Sequence, residues 1–181
     1  GKVKYWLTFN EINNMRRMPG AAGGIFFKEG ENHQQVVYQA SHNMFVANAL
    51  AIKLCHEIIP DAKIGCMLSL SNVYPHSCRP EDVFETMELR RRSLLYGDIM
   101  IRGYYPNYMA DIWDKENVHV EMEPGDEELM RKYTADYLGF SYYRTTTHEY
   151  GTPFSGDTGG DQGTPNPYLK TTPWGWQIDP L

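Results

Sequence analysis

Apolar residues along the chain form three short, nearly continuous runs. They are Val3 to Phe9, Ala62 to Leu70 and Asp136 to Tyr143. The first leads directly into Asn10 and Glu11, and the third ends in polar aromatic residues. Short apolar runs of this kind are typical of strands buried in a parallel sheet. We therefore predict three strands, the first two buried, with polar groups where the first and third strands end.

Between these runs, apolar residues recur at steps of three and four, as on one face of a helix. The predicted helices are Asn32 to Ile59, about Pro80 to Asp98, Tyr108 to Lys115 and Asp126 to Ala135. Asn32 is placed to cap the first helix, and Pro60 follows its end. Two segments rich in turn-forming residues are predicted as loops. They are Asn14 to Gly30, which is long enough for a binding loop, and Arg144 to Leu181, which has room for short hairpins.

The order of these elements predicts the fold class. Strands that alternate with helices indicate βα units and a parallel sheet, so we predict an α/β fold. Three strands cannot close a barrel, and 181 residues are fewer than the roughly 250 of a complete (β/α)₈ barrel. The prediction is therefore a single segment, 1–181, that forms an arc of such a barrel.

Composition narrows the classes of partner. The net charge of −6 argues against a nucleic-acid surface, and the basic run Arg90 to Arg92 follows Glu85 and Glu88 at helical spacing, as on a solvated helix face. No apolar run is long enough to span a membrane, and the N-terminus does not resemble a signal peptide. The three cysteines, Cys55, Cys66 and Cys78, form no CxxC pair and are predicted to be reduced thiols in a cytoplasmic protein.

Glu11 is the main candidate for chemistry. A carboxyl group where a strand of an α/β barrel ends can serve as an acid or a base tuned by its surroundings. The alternative is a glutamate that caps a turn or pairs with Arg16 or Arg17. Regular strand alternation would point Asn10 and Glu11 to opposite sides. Both can face one site only if the strand loses its pleat before Glu11.

Other groups of polar residues are weaker candidates. His33 and His42 lie nine residues apart on different faces of the first predicted helix, so no metal site is expected there. Asp157, Thr158 and Asp161 resemble a calcium loop, yet the terminal glutamate is missing at the right distance. We expect no metal ion and no organic cofactor.

Six segments follow one another in a recognisable order. They are Thr8 to Asn13, Phe26 to Asn32, Asp61 to Leu68, Arg102 to Tyr108, Gly139 to Tyr143 and Trp174 to Pro180. In this order the segments resemble glycoside hydrolase family 1, in particular its bacterial 6-phospho-β-glucosidase branch. The resemblance runs over essentially the whole chain and implies the fourth to sixth strands of a barrel, roughly two-fifths of a complete enzyme.

The resemblance implies roles for five residues. Glu11 would be the acid/base that protonates the glycosidic oxygen, and Asn10 would bind the 2-hydroxyl of the sugar. Tyr143 would support the nucleophile. Trp174 and Trp176 would border the aglycone side of the substrate. Ser141, where most of the family has Asn, resembles the phospho-sugar branch.

The catalytic pair that the resemblance implies is incomplete in this chain. The Thr-Glu-Asn-Gly type segment that carries the family's nucleophile does not occur, and neither do the elements that hold the 6-phosphate. The expected reaction of the parent enzyme is retaining hydrolysis of a phosphorylated β-glucoside, with little or no activity in the isolated chain. An unphosphorylated β-glucosidase, or an inactive sugar-binding or assembly fragment, is the alternative. Exposed barrel edges would favour self-association, and no nucleic acid or membrane is expected as a partner.

Overall fold

Three parallel strands and the helices between them make up the described part of the chain. The computed structural model describes residues 2–153 and 163–181. Its elements are β1 (Tyr5–Leu7), a 3₁₀ helix (Ile12–Met15), α1 (Pro19–Gly23), α2 (His33–Ile58), β2 (Lys63–Pro75), α3 (Pro80–Arg102), α4 (Tyr108–Glu116), α5 (Asp126–Lys132) and β3 (Leu138–His148). The sheet has the order β1-β2-β3, and both pairings are parallel. The predicted α/β arrangement is confirmed.

The core lies between β2 and the helices α2 and α3. Alternate residues of β2, namely Ile64, Cys66 and Leu68, are buried in one apolar cluster. The cluster includes Phe45 and Ile52 of α2, and Tyr96 and Ile99 of α3. Full burial of such side chains stabilises a fold by about 1.5–3 kcal/mol each. The helix-facing side of the central strand therefore provides much of the folding free energy.

Gly97 lets α3 approach the sheet closely. A Cβ atom on this residue would lie 2.9 Å from Cδ1 of Leu68. A side chain there would require the buried Leu68 side chain to move.

Gly103 follows the end of α3 and packs closely against α5. Its φ of 78° is in the left-handed region that favours glycine, and its N–H donates to Ile99 O. A Cβ atom would lie 2.6 Å from both Arg131 Cα and Met130 O. Both the conformation and the close approach of α5 thus require glycine here.

Tyr137, just before β3, connects the two outer strands at their beginning. Its hydroxyl donates to the Trp6 carbonyl oxygen at 2.6 Å. The ring lies over Gly65 of β2, where a Cβ atom would be 2.6 Å from Cε2 of the ring. The start of β3 therefore reaches across the central strand to β1.

The first strand differs from its prediction. β1 contains three residues instead of the predicted Val3 to Phe9, and its side chains are exposed, with Tyr5 at 73%. The prediction of a buried strand is wrong for this chain because, within the described residues, β1 pairs with β2 alone. An apolar run indicates that a strand is suited to burial, and burial itself depends on what packs against the strand.

Several other boundaries also shift. The segment predicted as the loop Asn14 to Gly30 contains the second half of the 3₁₀ helix and all of α1. β2 and β3 continue to Pro75 and His148, and α5 stops at Lys132 rather than Ala135. The end of the chain returns to β3 through two isolated antiparallel bridges, Thr145 with Gln177 and Thr147 with Thr164, and a third bridge, Thr171 with Gln177, lies within the final segment.

Candidate active site

The backbone at the end of β1 leaves the regular strand conformation before it reaches Glu11. The strand ends at Leu7, and Glu11 has φ 46° and ψ 52°, in the left-handed region. The pleat is therefore lost there, as a shared site for Asn10 and Glu11 requires. For a residue with a side chain this conformation costs on the order of 1–2 kcal/mol. The surrounding contacts must offset that cost.

The 3₁₀ helix that follows Glu11 is anchored in the core. Ile12 and Met15 are almost completely buried in the apolar cluster. Asn13, also buried, uses both ends of its side-chain amide on one residue of β2: Nδ2 donates to Ser69 O at 2.8 Å, and Oδ1 accepts from Ser69 N at 2.8 Å. The side chain of Asn13 therefore pairs with β2 as a strand backbone would, beyond the point where β1 ends.

The carboxylate of Glu11 is held on both oxygens. Nδ2 of Asn14 donates to Oε2 at 2.8 Å. The hydroxyl of Tyr143, on β3, donates to Oε1. This bond to the carboxylate raises the pKa of the Tyr143 phenol above its ordinary value. The contact joins the turn after β1 to the middle of β3, the other outer strand.

A β-bulge directs Tyr143 toward Glu11. In the β2–β3 pairing Leu70 is opposite Tyr142, and Ser71 is opposite Arg144, so Tyr143 is the extra residue. A bulge changes the direction of side chains and is common beside active sites. The expected contact of Tyr143 with a nucleophile has no counterpart among the described residues, where the contact is with Glu11.

The two tryptophans of the last segment differ in position. The ring of Trp176 meets that of Tyr143 edge to face, with centroids 5.8 Å apart, and the Arg144 guanidinium lies over Trp176 at 5.9 Å. Trp174 is 86% exposed. The structure therefore brings Trp176 beside the Glu11–Tyr143 pair and leaves Trp174 at the surface.

The backbone around Trp176 is held by its neighbour Gln177. The Gln177 side chain accepts from Asn166 N and donates to Asn166 O, both at 2.7 Å. Gln177 also bridges to Thr145 of β3. The position of the tryptophan is therefore set by β3.

Asn10 and the alternatives for Glu11 can be placed as well. Asn10 is exposed and adjacent to Glu11, so its amide is open to a ligand. Glu11 precedes the 3₁₀ helix, but its side chain makes no capping hydrogen bond to it. Arg16 lies with its guanidinium over the ring of Tyr38, 5.9 Å from the centroid.

The two histidines considered as metal ligands, His33 and His42, make packing and hydrogen-bond contacts within the fold. His42 is buried, and its ring nitrogens contact Tyr105 Oη at 2.8 Å and Asp126 Oδ2 at 3.0 Å, which ties α2 to the start of α5. His33 stacks on Phe27 with centroids 3.9 Å apart. Within residues 2–153 and 163–181, no three His, Cys, Asp or Glu side chains group as a metal site needs.

The calcium-loop candidates Asp157, Thr158 and Asp161 lie outside the described residues.

All three cysteines are unpaired, and burial raises the pKa of the Cys66 thiol to about 11, so this thiol stays protonated at neutral pH. Arg91 pairs with Glu88 on the same helix, as predicted, whereas Arg92 pairs with Glu116 of α4 at 2.9 Å and Glu85 contacts His148. In the part of the chain that the structure describes, every helix is too short or too polar to cross a bilayer.

Sequence reasoning missed the residues that support Glu11. The roles of Asn13 and Asn14 depend on contacts with Ser69 and with the Glu11 side chain, and Thr8 Oγ1 donates to Asn48 Oδ1 at 2.8 Å. A run of amides directly after a strand-end glutamate was the available signal. Such side chains often bond to nearby backbone in place of regular secondary structure.

Comparison with known proteins agrees with this geometry. The profile described as "Glycosyl hydrolase family 1" matches residues 1–181. An aryl-phospho-β-D-glucosidase of Bacillus subtilis is 49% identical over 181 residues, which are 99% of this chain and 39% of the relative. A 6-phospho-β-glucosidase of Escherichia coli is 46% identical over 183 residues, with coverage of 100% and 38%.

The solved structures point to the same fold. A family 1 β-glucosidase from Thermotoga maritima superposes with a TM-score of 0.73 at 23% identity, over 99% of this chain and 38% of that one. The described strands and helices are thus an arc of a (β/α)₈ barrel. The chain belongs to glycosyl hydrolase family 1. It spans about two-fifths of the length of the curated relatives it matches.

Proposed function

We propose that the protein containing this chain hydrolyses 6-phospho-β-D-glucosides with retention of configuration, and that Glu11 is its acid/base. The position of Glu11 carries the proposal: its carboxylate lies at the carboxyl end of the sheet, where barrel enzymes build their sites. The names of the relatives at 46% and 49% identity support the phosphorylated substrate. We infer a cytoplasmic location, because the three cysteines are unpaired and are expected to be reduced thiols.

The retaining reaction assigns two tasks to Glu11. As an acid it gives its proton to the glycosidic oxygen while a second carboxylate attacks the anomeric carbon and the aglycone leaves. As a base it then takes a proton from the water that releases the sugar from this carboxylate. The second carboxylate must lie about 5–5.5 Å away. No segment of this chain matches the family's nucleophile motif, so we expect little or no turnover by the 181 residues alone.

The neighbouring residues complete the proposed site. Asn10 hydrogen-bonds the 2-hydroxyl, a contact that strengthens as the ring becomes oxocarbenium-like. Tyr143 supports the nucleophile, and its contact with Glu11 keeps its hydroxyl beside the acid/base. Trp176 and the more exposed Trp174 border the aglycone.

The proposal is tested in a chimera in which a relative supplies the rest of the barrel. Residues 1–181 replace the matching segment of the Bacillus subtilis relative, and the chimera is assayed with nitrophenyl β-D-glucoside, with and without a 6-phosphate. We expect hydrolysis of the phosphorylated substrate by the chimera and none by the isolated chain. Because the elements that hold the 6-phosphate come from the relative, the chimera tests only the acid/base half of the site, and a plain β-glucosidase would be indicated if the whole protein containing this chain preferred the unphosphorylated substrate. A folded chimera inactive on both would favour a non-catalytic fragment.

Glu11→Gln tests the acid/base assignment in the same chimera. The variant should lose hydrolysis, and added azide should restore turnover of a nitrophenyl substrate by attacking the glycosyl-enzyme to give a β-glycosyl azide, since azide needs no base. Lack of rescue together with undiminished hydrolysis would refute the role of Glu11.

We also propose that the 181-residue chain associates with itself. The outer strands expose Trp6, Leu7, Phe140 and Tyr142, and open strand edges of this kind pair readily. Analytical ultracentrifugation should give a mass above the 20.9 kDa of one chain. A single species of monomer mass at micromolar concentration would contradict this.

A further inference from the structure

Two buried amides lie directly after the candidate acid/base. Asn13 and Asn14 are 8% and 7% exposed and lie in the 3₁₀ helix that follows Glu11. Buried amides have to be hydrogen-bonded, so their contacts show what the turn requires. Asn13 contacts β2, and Asn14 contacts the Glu11 carboxylate.

Asn13 fixes where the turn lies. Its two bonds to the Ser69 backbone satisfy an N–H and a C=O of β2 that β1 no longer reaches. They also fix the 3₁₀ helix against the sheet one turn after Glu11. The left-handed backbone of Glu11 is thereby held from its C-terminal side, because the chain can reach Asn13 from β1 only by turning sharply.

Asn14 fixes how the carboxylate is rotated. Its Nδ2 holds Glu11 Oε2 at 2.8 Å, which leaves Oε1 toward Tyr143 and the open side of the sheet. Asn14 Oδ1 is buried and has no hydrogen-bond partner among the described residues. A side chain selected for packing alone would not leave a buried acceptor unpaired, so the donor to Glu11 is the function that explains the amide.

We propose that Asn13 and Asn14 are positioning residues for the acid/base: Asn13 holds the turn on β2, and Asn14 holds Oε2 so that Oε1 carries the transferred proton. This inference rests on the proposed function of Glu11. A carboxylate held through one oxygen keeps the other aligned with the glycosidic oxygen, and small misplacements of a catalytic group reduce rate strongly.

The kinetic test uses Asn14→Ala in the chimera, with Asn43→Ala on the exposed side of α2 as the matched control. Two 6-phospho-β-D-glucosides are compared, one with a phenyl and one with a dinitrophenyl leaving group. Only the phenyl group needs a proton as it leaves. We expect Asn14→Ala to lower kcat/KM at least tenfold for the phenyl substrate and less than threefold for the dinitrophenyl substrate. Asn43→Ala should change neither.

An equal fall on both substrates would mean that Asn14 only supports the fold, and no fall on either would mean that it does nothing for the proton transfer. Both results overturn the inference. The proposed function fails separately, if the unsubstituted chimera is folded and inactive, or if Glu11→Gln leaves phenyl hydrolysis intact.

A second measurement addresses Asn13 and needs no activity. In the 181-residue chain, the side-chain amide protons of Asn13 should exchange with water at least tenfold more slowly than those of Asn43, as judged by ¹H–¹⁵N NMR. Equal exchange rates would show that the pairing with Ser69 is not formed and would overturn this part of the proposal. In the chimera, Asn13→Ala should reduce kcat for the phenyl substrate with little change in KM, and a change in KM alone would also overturn it.

Discussion

The central strand and the edge strands of the sheet differ in side-chain burial, although their residues are paired in register. Leu68 on β2 and Phe140 on β3 are paired in register, yet Leu68 is 1% exposed and Phe140 is 56% exposed. The difference is cover: Gly97 brings α3 onto Leu68, whereas Phe140 borders an open cavity together with Leu94 of α3. The centre holds the fold together, whereas the candidate site is built on the edge strands, at Glu11 after the end of β1 and at Tyr143 within β3.

The largest expected effect is a loss of activity without a loss of stability. Glu11→Gln in the chimera should lower kcat/KM for the phenyl 6-phospho-glucoside by about 10²–10⁴-fold, the usual contribution of general acid catalysis. The melting temperature of the 181-residue chain should stay within about 2 °C, because the substitution leaves the core unchanged. Calorimetry and steady-state kinetics measure the two. A large loss of stability would mean that the edge also holds the fold.

The second prediction uses the paired residues of one row. Leu68→Ala should cost about 2–5 kcal/mol of unfolding free energy, since it leaves a cavity beneath α3. Phe140→Ala, its register partner, should change the value by only about 0.5 kcal/mol in the monomer. Urea unfolding of both variants at low concentration checks this. Equal costs would show that Phe140 is covered in solution, for instance by a second copy of the chain.

The third prediction compares two glycines with similar backbone conformations. Gly103 has φ 78° and Gly175 has φ 83°, but a Cβ would meet the α5 backbone at Gly103 and nothing within 4 Å at Gly175. Gly175→Ala should cost about 1 kcal/mol for the left-handed conformation. Gly103→Ala should cost clearly more, roughly 2–3 kcal/mol, because α5 must also move. Thermal unfolding distinguishes them, and similar shifts would contradict the close contact.

The smallest effect depends on pH. Asp82, in the first turn of α3, accepts hydrogen bonds from Ser77 Oγ at 2.6 Å and from Tyr150 N at 2.8 Å. These bonds, that of Ser77 first, hold the pKa of the Asp82 carboxyl below its ordinary value. A lowered folded-state pKa contributes stability above the ordinary pKa, and that stability is lost as pH falls through the lowered value.

Melting temperatures between pH 2.5 and 7 should therefore fall less steeply toward acid for Asp82→Asn than for the unchanged chain. Parallel curves would show that Asp82 is not held by these bonds. Glu57→Gln, an exposed change on α2, is the matched control and should leave the slope unchanged.

The sequence predicted the centre of the molecule better than its edges. The apolar run at β2 and the spacing in α2 reflect local patterns that the core confirms. Glu11 could be found because a polar pair follows an apolar run. The contact of Asn13 with Ser69 could not, because the two lie 56 residues apart and an amide can bond to many partners.

The ends of β1 and β3 could not be predicted from the sequence either, for a related physical reason. Where a strand stops depends on what pairs with it, and the bulge at Tyr143 arises from the register with β2. The exposure of Tyr5 likewise depends on what packs against the strand, where Tyr137 meets its ring edge to face. Local composition carries no information on either.

The bulge at Tyr143 has a consequence for chain length. Upstream, Phe140 and Tyr142 share a face with Leu68 and Leu70, but downstream that face is taken up by Thr145, opposite Asn72. Tyr143 is thus a phase shift of one residue within a single strand. Deleting Tyr143 would therefore leave each later residue of β3 opposite its present partner on β2, including Thr145 with its bridge to Gln177, and would remove only the hydroxyl that meets Glu11. The site thus rests on one residue that the pairing of β3 with β2 does not need.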